Sequence, residues 1–237
     1  TKLFPTIHVY WKRCQKKVLD GLKVIEGGIV VAGDERHDSM GHSAKYGAYT
    51  ILCCSVPMII HFALVQRNQV GNSPAMEFES FKQSMEYLIG YGILINTFIS
   101  DRHVSIASHM KKVVTNIVHY FDIWHLKKSS EVYDRVCKVL TTDSLKRGIK
   151  QASPWAQTSC WEGFHSLLNQ FAPKMIAYSY AGMYCRHILA AVHINFNLQR
   201  EIKTREADHQ SRQKIVFPKF KNGEATIRDV RVKADFS

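Results

Sequence analysis

The chain holds no Cys-x-x-Cys pair, although 6 of its 237 residues are cysteine. Cys14, Cys53, Cys54, Cys137, Cys160 and Cys185 lack the spacing of a zinc ribbon or a disulfide framework, and the neighbours Cys53 and Cys54 fall on opposite faces of any strand. A reducing compartment is the expectation. Histidine is plentiful, but His37 with His42 and His119 with His125 have no cysteine pair at finger spacing, so no structural zinc is expected. A long apolar run is also missing. The most apolar stretch, 49–65, is broken by Ser55, Pro57 and His61 and sits at the short end of the roughly 17–25 residues a membrane helix needs. Two buried strands joined at Ser55-Val56-Pro57 account for it, and no membrane partner is expected. The chain opens on Thr1 and shows no signal peptide there, which reads as a fragment or a processed piece. No internal repeat is visible.

Negative charge is in deficit. Thirty-two Lys+Arg face 20 Asp+Glu, a formal charge of +12 with a pI near 9.4. Such a balance suits a polyanionic partner, nucleic acid first and an acidic membrane surface second. A hydrophobic fraction of 46% with 22% charged residues is that of a globular core and excludes a wholly disordered chain.

The pattern along the chain predicts a mixed fold. Residues 1–26 read as a basic amphipathic lead-in helix. Ile29-Val30-Val31-Ala32, framed by glycines and ending at Gly33-Asp34, reads as a buried strand. Strands are expected at 49–54 and over Met58–Gln66, then a helix capped by Ser73 with Pro74 at its first position. Phe78, Phe81, Met85 and Leu88 recur at helical spacing, and Gly90 and Gly92 end the run. A nearly all-apolar strand over 93–99 suits a sheet covered on both faces and stops at Ser100-Asp101. A helix over Val104–Lys112, a strand over 117–124, a basic helical stretch over 127–157 and helices over Ser159–Phe171 and Tyr180–Leu198 follow. The charged tail from Arg200 is expected to be extended or partly disordered, with Val216-Phe217-Pro218 as a docking segment. Three meandering strands followed by strands entered through helical crossovers give an α/β mixed five-stranded sheet with helices on both faces.

Three acids stand where such a sheet gathers ligands, at the carboxyl ends of its strands. Asp34 and Asp101 each follow an apolar strand, and Glu162 opens a helix that packs on the sheet. Three converging carboxylates suit hard cations such as Mg²⁺ or Mn²⁺. Two such ions support in-line phosphodiester cleavage without a covalent enzyme intermediate. Each acid also has a plainer reading: Asp34 as a turn residue, Asp101 as a helix cap, and Glu162 as the glutamate of a capping box Ser159-Cys160-Trp161-Glu162. Lys111, Lys112, Lys127, Lys128, Lys146 and Arg147 are candidates for a DNA path, although a charge cluster is more often a solvated face.

Several blocks occur in an order that resembles one family. Gly33-Asp34-Glu35-Arg36-His37-Asp38-Ser39 with Gly41-His42-Ser43-Ala44-Lys45-Tyr46, Ser100-Asp101-Arg102-His103, Phe121-Asp122-Ile123-Trp124-His125, and Thr158-Ser159-Cys160-Trp161-Glu162-Gly163-Phe164-His165-Ser166 are similar to the acid blocks of Kolobok-like eukaryotic DDE transposases. These enzymes often carry an N-terminal THAP zinc domain. The resemblance implies an RNase H-like catalytic domain over 27–199 and a basic tail over 200–237. It implies Asp34, Asp101 and Glu162 as metal ligands, with Asp122 and His125 accessory and Asp38 the fallback for the first acid. It further implies double-stranded DNA at transposon ends as substrate, a homo-oligomer and a nuclear location. Two departures stand out. Glu35 occupies a position where the family has Gly, and the stretch 126–157 is shorter than the family's helical insertion, as after an internal deletion. An intact transposase, a catalytically inactive DNA-binding remnant and a cellular RNase H-like exonuclease are therefore the readings to separate.

Overall fold

Strand β1 (Ile29–His37) owes its central place to its composition, since β-branched residues on both faces demand cover on both sides. In the computed structural model, which describes residues 2–39, 44–122, 159–204, 211–216 and 226–232, that cover is present. Strands β2 (Tyr46–Cys53), β3 (Met58–Gln66), β4 (Ile95–Ser100) and β5 (Val118–Phe121) complete a five-stranded sheet of order β3-β2-β1-β4-β5. β1, β2 and β3 pair antiparallel, while β1–β4 and β4–β5 pair parallel. This is the α/β, RNase H-like mixed sheet the sequence predicts.

Alternation along β1 sorts the core. Ile29 and Val31 pack with Leu19 and Leu22 of α1 (Leu3–Leu22), Phe81, Met85 and Leu88 of α3 (Ser73–Gly90), and Ile106 and Met110 of α4 (Val104–Lys112). On the other face Ala32 joins Trp161, Phe164 and Leu168 of α5 (Ser159–Phe171) and Ile188 and Ala191 of α6 (Tyr180–Leu198). Helix α2 (Arg67–Val70) is a single turn between β3 and α3.

Three local details depart from the sequence reading. The cap of α3 is Asn72, whose side chain accepts from the Ala75 N–H at 2.9 Å, and not Ser73, which already lies in the helix. β1 runs past Asp34 to His37, because its last four residues pair with Gly47 to Thr50 of β2. The tail is not merely extended: β6 (Gln213–Val216) and β7 (Thr226–Asp229) pair antiparallel, and Arg231 donates to the Leu198 and Arg200 carbonyls at 2.9 and 2.6 Å. Val216 belongs to β6, whereas Phe217 and Pro218 lie outside the described residues, as does the stretch 123–158.

The chain divides into two compact units, Thr1–Ile194 and Asn195–Ser237. Cys14, Cys53 and Cys185 are free thiols. Among the described residues no helix is long and apolar enough to cross a membrane. The apolar stretch 49–65 is β2 and β3 with a turn between them.

Candidate active site at the strand ends

The parallel pairing of β1 with β4 ends at Ala32↔Ile99. Asp34 and Asp101 each lie two residues beyond that last pair, so the two acids emerge side by side where the central sheet opens. Asp34 Oδ1 accepts from the Glu35 N–H at 2.8 Å, and Asp34 Oδ2 stands 3.8 Å from His165 Nδ1 of α5. Burial, then the positive charges of Arg36 and Lys174, push His165 down to about 4, so the ring is neutral near pH 7. Glu162 lies on α5 three residues, one helical turn, before His165. Its side chain lies outside the described residues.

Asp101 does not cap α4. His103 is the N-cap, with its ring accepting from the Ile106 N–H at 3.4 Å, while Asp101 Oδ1 accepts from the His103 N–H at 3.3 Å. Asp34 is no turn residue either, since it sits within the β1–β2 ladder. Asp122 is buried directly after β5, and its N–H donates to the Ser100 carbonyl at 2.8 Å, which places it at the next strand end. Asp38 does a structural job: its Oδ1 accepts from the Lys45 and Tyr46 N–H groups at 2.9 and 3.1 Å, closing the β1–β2 connection. Lys111 and Lys112 lie in the last turn of α4, about 12 Å along the axis from the helix start beside Asp101. His125, Lys127, Lys128, Lys146 and Arg147 lie outside the described residues.

What holds α5 over these strand ends is Arg36. Arg36 is 6% exposed, and its guanidinium donates to Asn169 Oδ1 and to the Ala172 carbonyl, both at 2.6 Å. The second contact caps the carboxyl end of α5, where the helix dipole favours a cation.

A second group of acids was not foreseen. Glu35 points to the α3 face, opposite to Arg36, and its side chain is only 4% exposed. Gly47 makes room for it, because a Cβ there would lie 2.2 Å from Glu35 Oε1. Glu77, in the second turn of α3, stands nearby with its Oε2 3.8 Å from His103 Nε2. His37 Nε2 is 3.3 Å from Glu35 Oε2. Burial first, then the Glu77, Asp34 and Asp101 charges, hold the Glu35 carboxyl far above the usual carboxylate range. Glu77 is raised by burial and by Asp101 and Asp34. The Tyr49 hydroxyl reaches into the same place, 2.7 Å from where a Cβ on Gly33 would lie, so only glycine fits at position 33. A sequence signal for Glu77 did exist: it precedes Phe81 by four residues, placing an acid on the apolar stripe of α3.

The acids supply oxygen donors only, which suits Mg²⁺ or Mn²⁺, and their mutual repulsion is what a cation would neutralise. Among the described residues no three acid, imidazole or thiol groups close on a single point as a metal site. No protein-family model matches the chain, and no curated protein is similar to it in sequence.

Proposed function

We propose that the chain is the catalytic domain of a Kolobok-like DDE transposase, cleaving and joining phosphodiesters of double-stranded DNA at transposon ends. Asp34, Asp101 and Glu162 are its ligands for Mg²⁺ or Mn²⁺. The observation that carries this reading is the emergence of Asp34 and Asp101 from adjacent parallel strands, beneath the helix that bears Glu162. Strand-end carboxylates of this kind are where an α/β sheet places its chemistry. When bound, a pair of divalent ions activates the attacking water or 3′-hydroxyl and stabilises the leaving oxygen. The protein's part is positional. Arg36 fixes α5 on β1, and neutral His165 stands beside Asp34 without competing for it as a counter-charge. The formal charge of +12 favours a polyanionic substrate. The reading carries with it a nuclear location and a homo-oligomeric working form. Asp122 is an accessory acid, with His125 as its partner in the same block.

The test is nicking of DNA by the purified chain with Mg²⁺ or Mn²⁺, set against Asp101→Ala. Metal-dependent nicking that disappears in the variant supports the reading. No nicking, with salt-sensitive DNA binding equal in both proteins, refutes it and leaves a catalytically inactive, transposase-derived DNA-binding protein. Nicking without any requirement for transposon ends points instead to an RNase H-like nuclease of another role.

A further inference from the structure

We infer that Lys203, Arg212 and Lys214 of the C-terminal unit form a basic face that grips the phosphate backbone of double-stranded DNA. The inference shares the DNA partner of the proposed function and uses none of the strand-end acids.

The backbone brings these cations together. Three segments of the unit meet in a closed ring of hydrogen bonds, each 2.7 Å long. The Lys203 N–H donates to the Val230 carbonyl, the Val230 N–H to the Arg212 carbonyl, and the Arg212 N–H to the Lys203 carbonyl. The bridges Ile202↔Arg231 and Thr204↔Ser211 hold the ring on either side, so Lys203 and Arg212 are fixed as neighbours. Arg212 leads into β6, where alternation places Lys214 on its face, two residues further on. The β6–β7 register then sets Lys214 opposite Arg228.

Opposed like charges weaken a strand pair, and a two-stranded ribbon with four residues a side has little stability to lose. Lys203, Arg212 and Lys214 are all exposed, and among the described residues their side chains find no carboxylate or other hydrogen-bond partner. Asp229, the acid of these two strands, falls on the other face, where Gln213 Nε2 donates to its Oδ1 at 3.1 Å. Ile215 and Ile227 pair on that same face. The ribbon therefore separates its cations from its acid, which is the electrostatic footprint of a polyanion site. Arg200 and Arg231 are not part of it, because their guanidiniums donate to the Val232, Leu198 and Arg200 carbonyls. Residues two apart on a strand stand about 6.8 Å apart, so Arg212 and Lys214 suit successive charges along a polymer better than one small anion. A two-stranded ribbon is also of a size that the major groove of DNA admits.

The experiment measures binding of the full chain to a short labelled DNA duplex of arbitrary sequence by fluorescence anisotropy, over a series of salt concentrations. Wild type is compared with the triple variant Lys203→Gln/Arg212→Gln/Lys214→Gln. The control, Lys2→Gln/Arg13→Gln/Lys17→Gln, removes equal charge from exposed positions on and beside α1. In the C-terminal variant the affinity is expected to fall about tenfold or more, and the slope of log affinity against log salt to become shallower by about 2 to 3, at roughly 0.9 for each phosphate contact removed. Its melting temperature stays at or above that of wild type, since the backbone ring remains and the repulsion is gone. Lys203→Arg/Arg212→Lys/Lys214→Arg keeps the charges and retains binding. Equal losses in the control overturn the inference, because net charge alone would then carry the affinity. Wild-type affinity and slope in the C-terminal variant overturn it as well, as does binding to phosphatidylserine vesicles in place of DNA. Nicking separates this inference from the strand-end reading: Asp101→Ala should bind DNA as wild type does, and a chain that binds through this face but never nicks leaves the grip standing while the nuclease reading falls.

Discussion

Arg36 offers the sharpest test of how the site is held. Its guanidinium makes two hydrogen bonds at 2.6 Å, to Asn169 Oδ1 and the Ala172 carbonyl, which tie β1 to the carboxyl end of α5. A hydrogen bond to a charged group contributes about 1.5–3 kcal/mol. Two such bonds, less the cost of keeping a guanidinium that is mostly buried, leave a net of about 3 kcal/mol. Arg36→Ala is therefore expected to lower the melting temperature by about 6–12 °C, at about 2–4 °C per kcal/mol for a chain of this size. Arg36→Met keeps the aliphatic stem and removes the head group, so most of the loss should persist in it. Thermal melts followed by circular dichroism at 222 nm read both. Nicking at a temperature where both variants are folded should fall further than the folded fraction does, because α5 carries Glu162. A melting temperature within about 1 °C of wild type for Arg36→Ala would refute the reasoning, since α5 would then be held by Trp161, Phe164 and Leu168 alone.

Asp38→Ala should leave metal-dependent nicking intact while costing about 1–2 kcal/mol, because Asp38 Oδ1 serves two backbone N–H groups of the β1–β2 connection; loss of nicking in a folded variant would restore it as the first acid. Gly47→Ala puts a Cβ 2.2 Å from Glu35 Oε1 and should cost about 1–3 kcal/mol, most of it recovered in the double variant Gly47→Ala/Glu35→Ala; chemical denaturation of the four proteins measures the coupling. Acid should unfold the chain early. His61 and His187 are buried and pushed down to about 3, mainly by burial, with Lys12 adding to the effect at His61 and Arg36 and His165 at His187. The unfolded chain then binds more protons than the folded one below the ordinary histidine value of 6.5, so the stability these rings contribute is full above that value and is lost as pH falls toward 3. A denaturation midpoint flat from pH 7 to pH 4 would contradict this.

How much of this was legible in the sequence depends on the range of the forces involved. The helices Val104–Lys112 and Ser159–Phe171 and the strand Met58–Gln66 have the bounds their apolar periodicity predicts, because burial of one face is a local signal. The end of β1 was not legible. The sequence ends the strand at Gly33-Asp34, and 34–37 continue it only because Gly47 to Thr50 supply a partner ladder and because Arg36 and Glu35 are satisfied or enclosed by elements far away in sequence. Glu77 escaped for the same reason: as one acid on a helix it looks like surface, and its significance comes from Glu35 and Asp101 approaching it through the fold. The tail, low in apolar residues, reads as extended or partly disordered, yet it forms a small sheet, and Arg231 donates to the Leu198 and Arg200 carbonyls, bonds that hydropathy does not register.

The departure Glu35 acquires a physical meaning once its surroundings are known. A carboxyl placed next to Asp34 on the same face would crowd the candidate cation site with a further charge; strand alternation instead turns it to the α3 side, where Gly47 yields the space. There burial holds both carboxyls above the usual carboxylate range, Glu77 raises Glu35 further, and the hydrogen bond from Glu35 partly offsets the rise of Glu77, so ionising both costs stability. A fold that had no use for negative charge at this point would be more stable with glutamine or leucine in both places. The glycine at 33 that admits the Tyr49 ring, the glycine at 47 that admits Glu35, and the histidine that spans Asp101 and Glu77 all serve to keep acids together against their repulsion. Destabilising arrangements maintained by several separate residues are characteristic of binding sites. Relieving the crowding with Glu35→Gln or Glu77→Gln should therefore raise the melting temperature of the chain, and a lowered one would show that the two carboxyls hold the fold together.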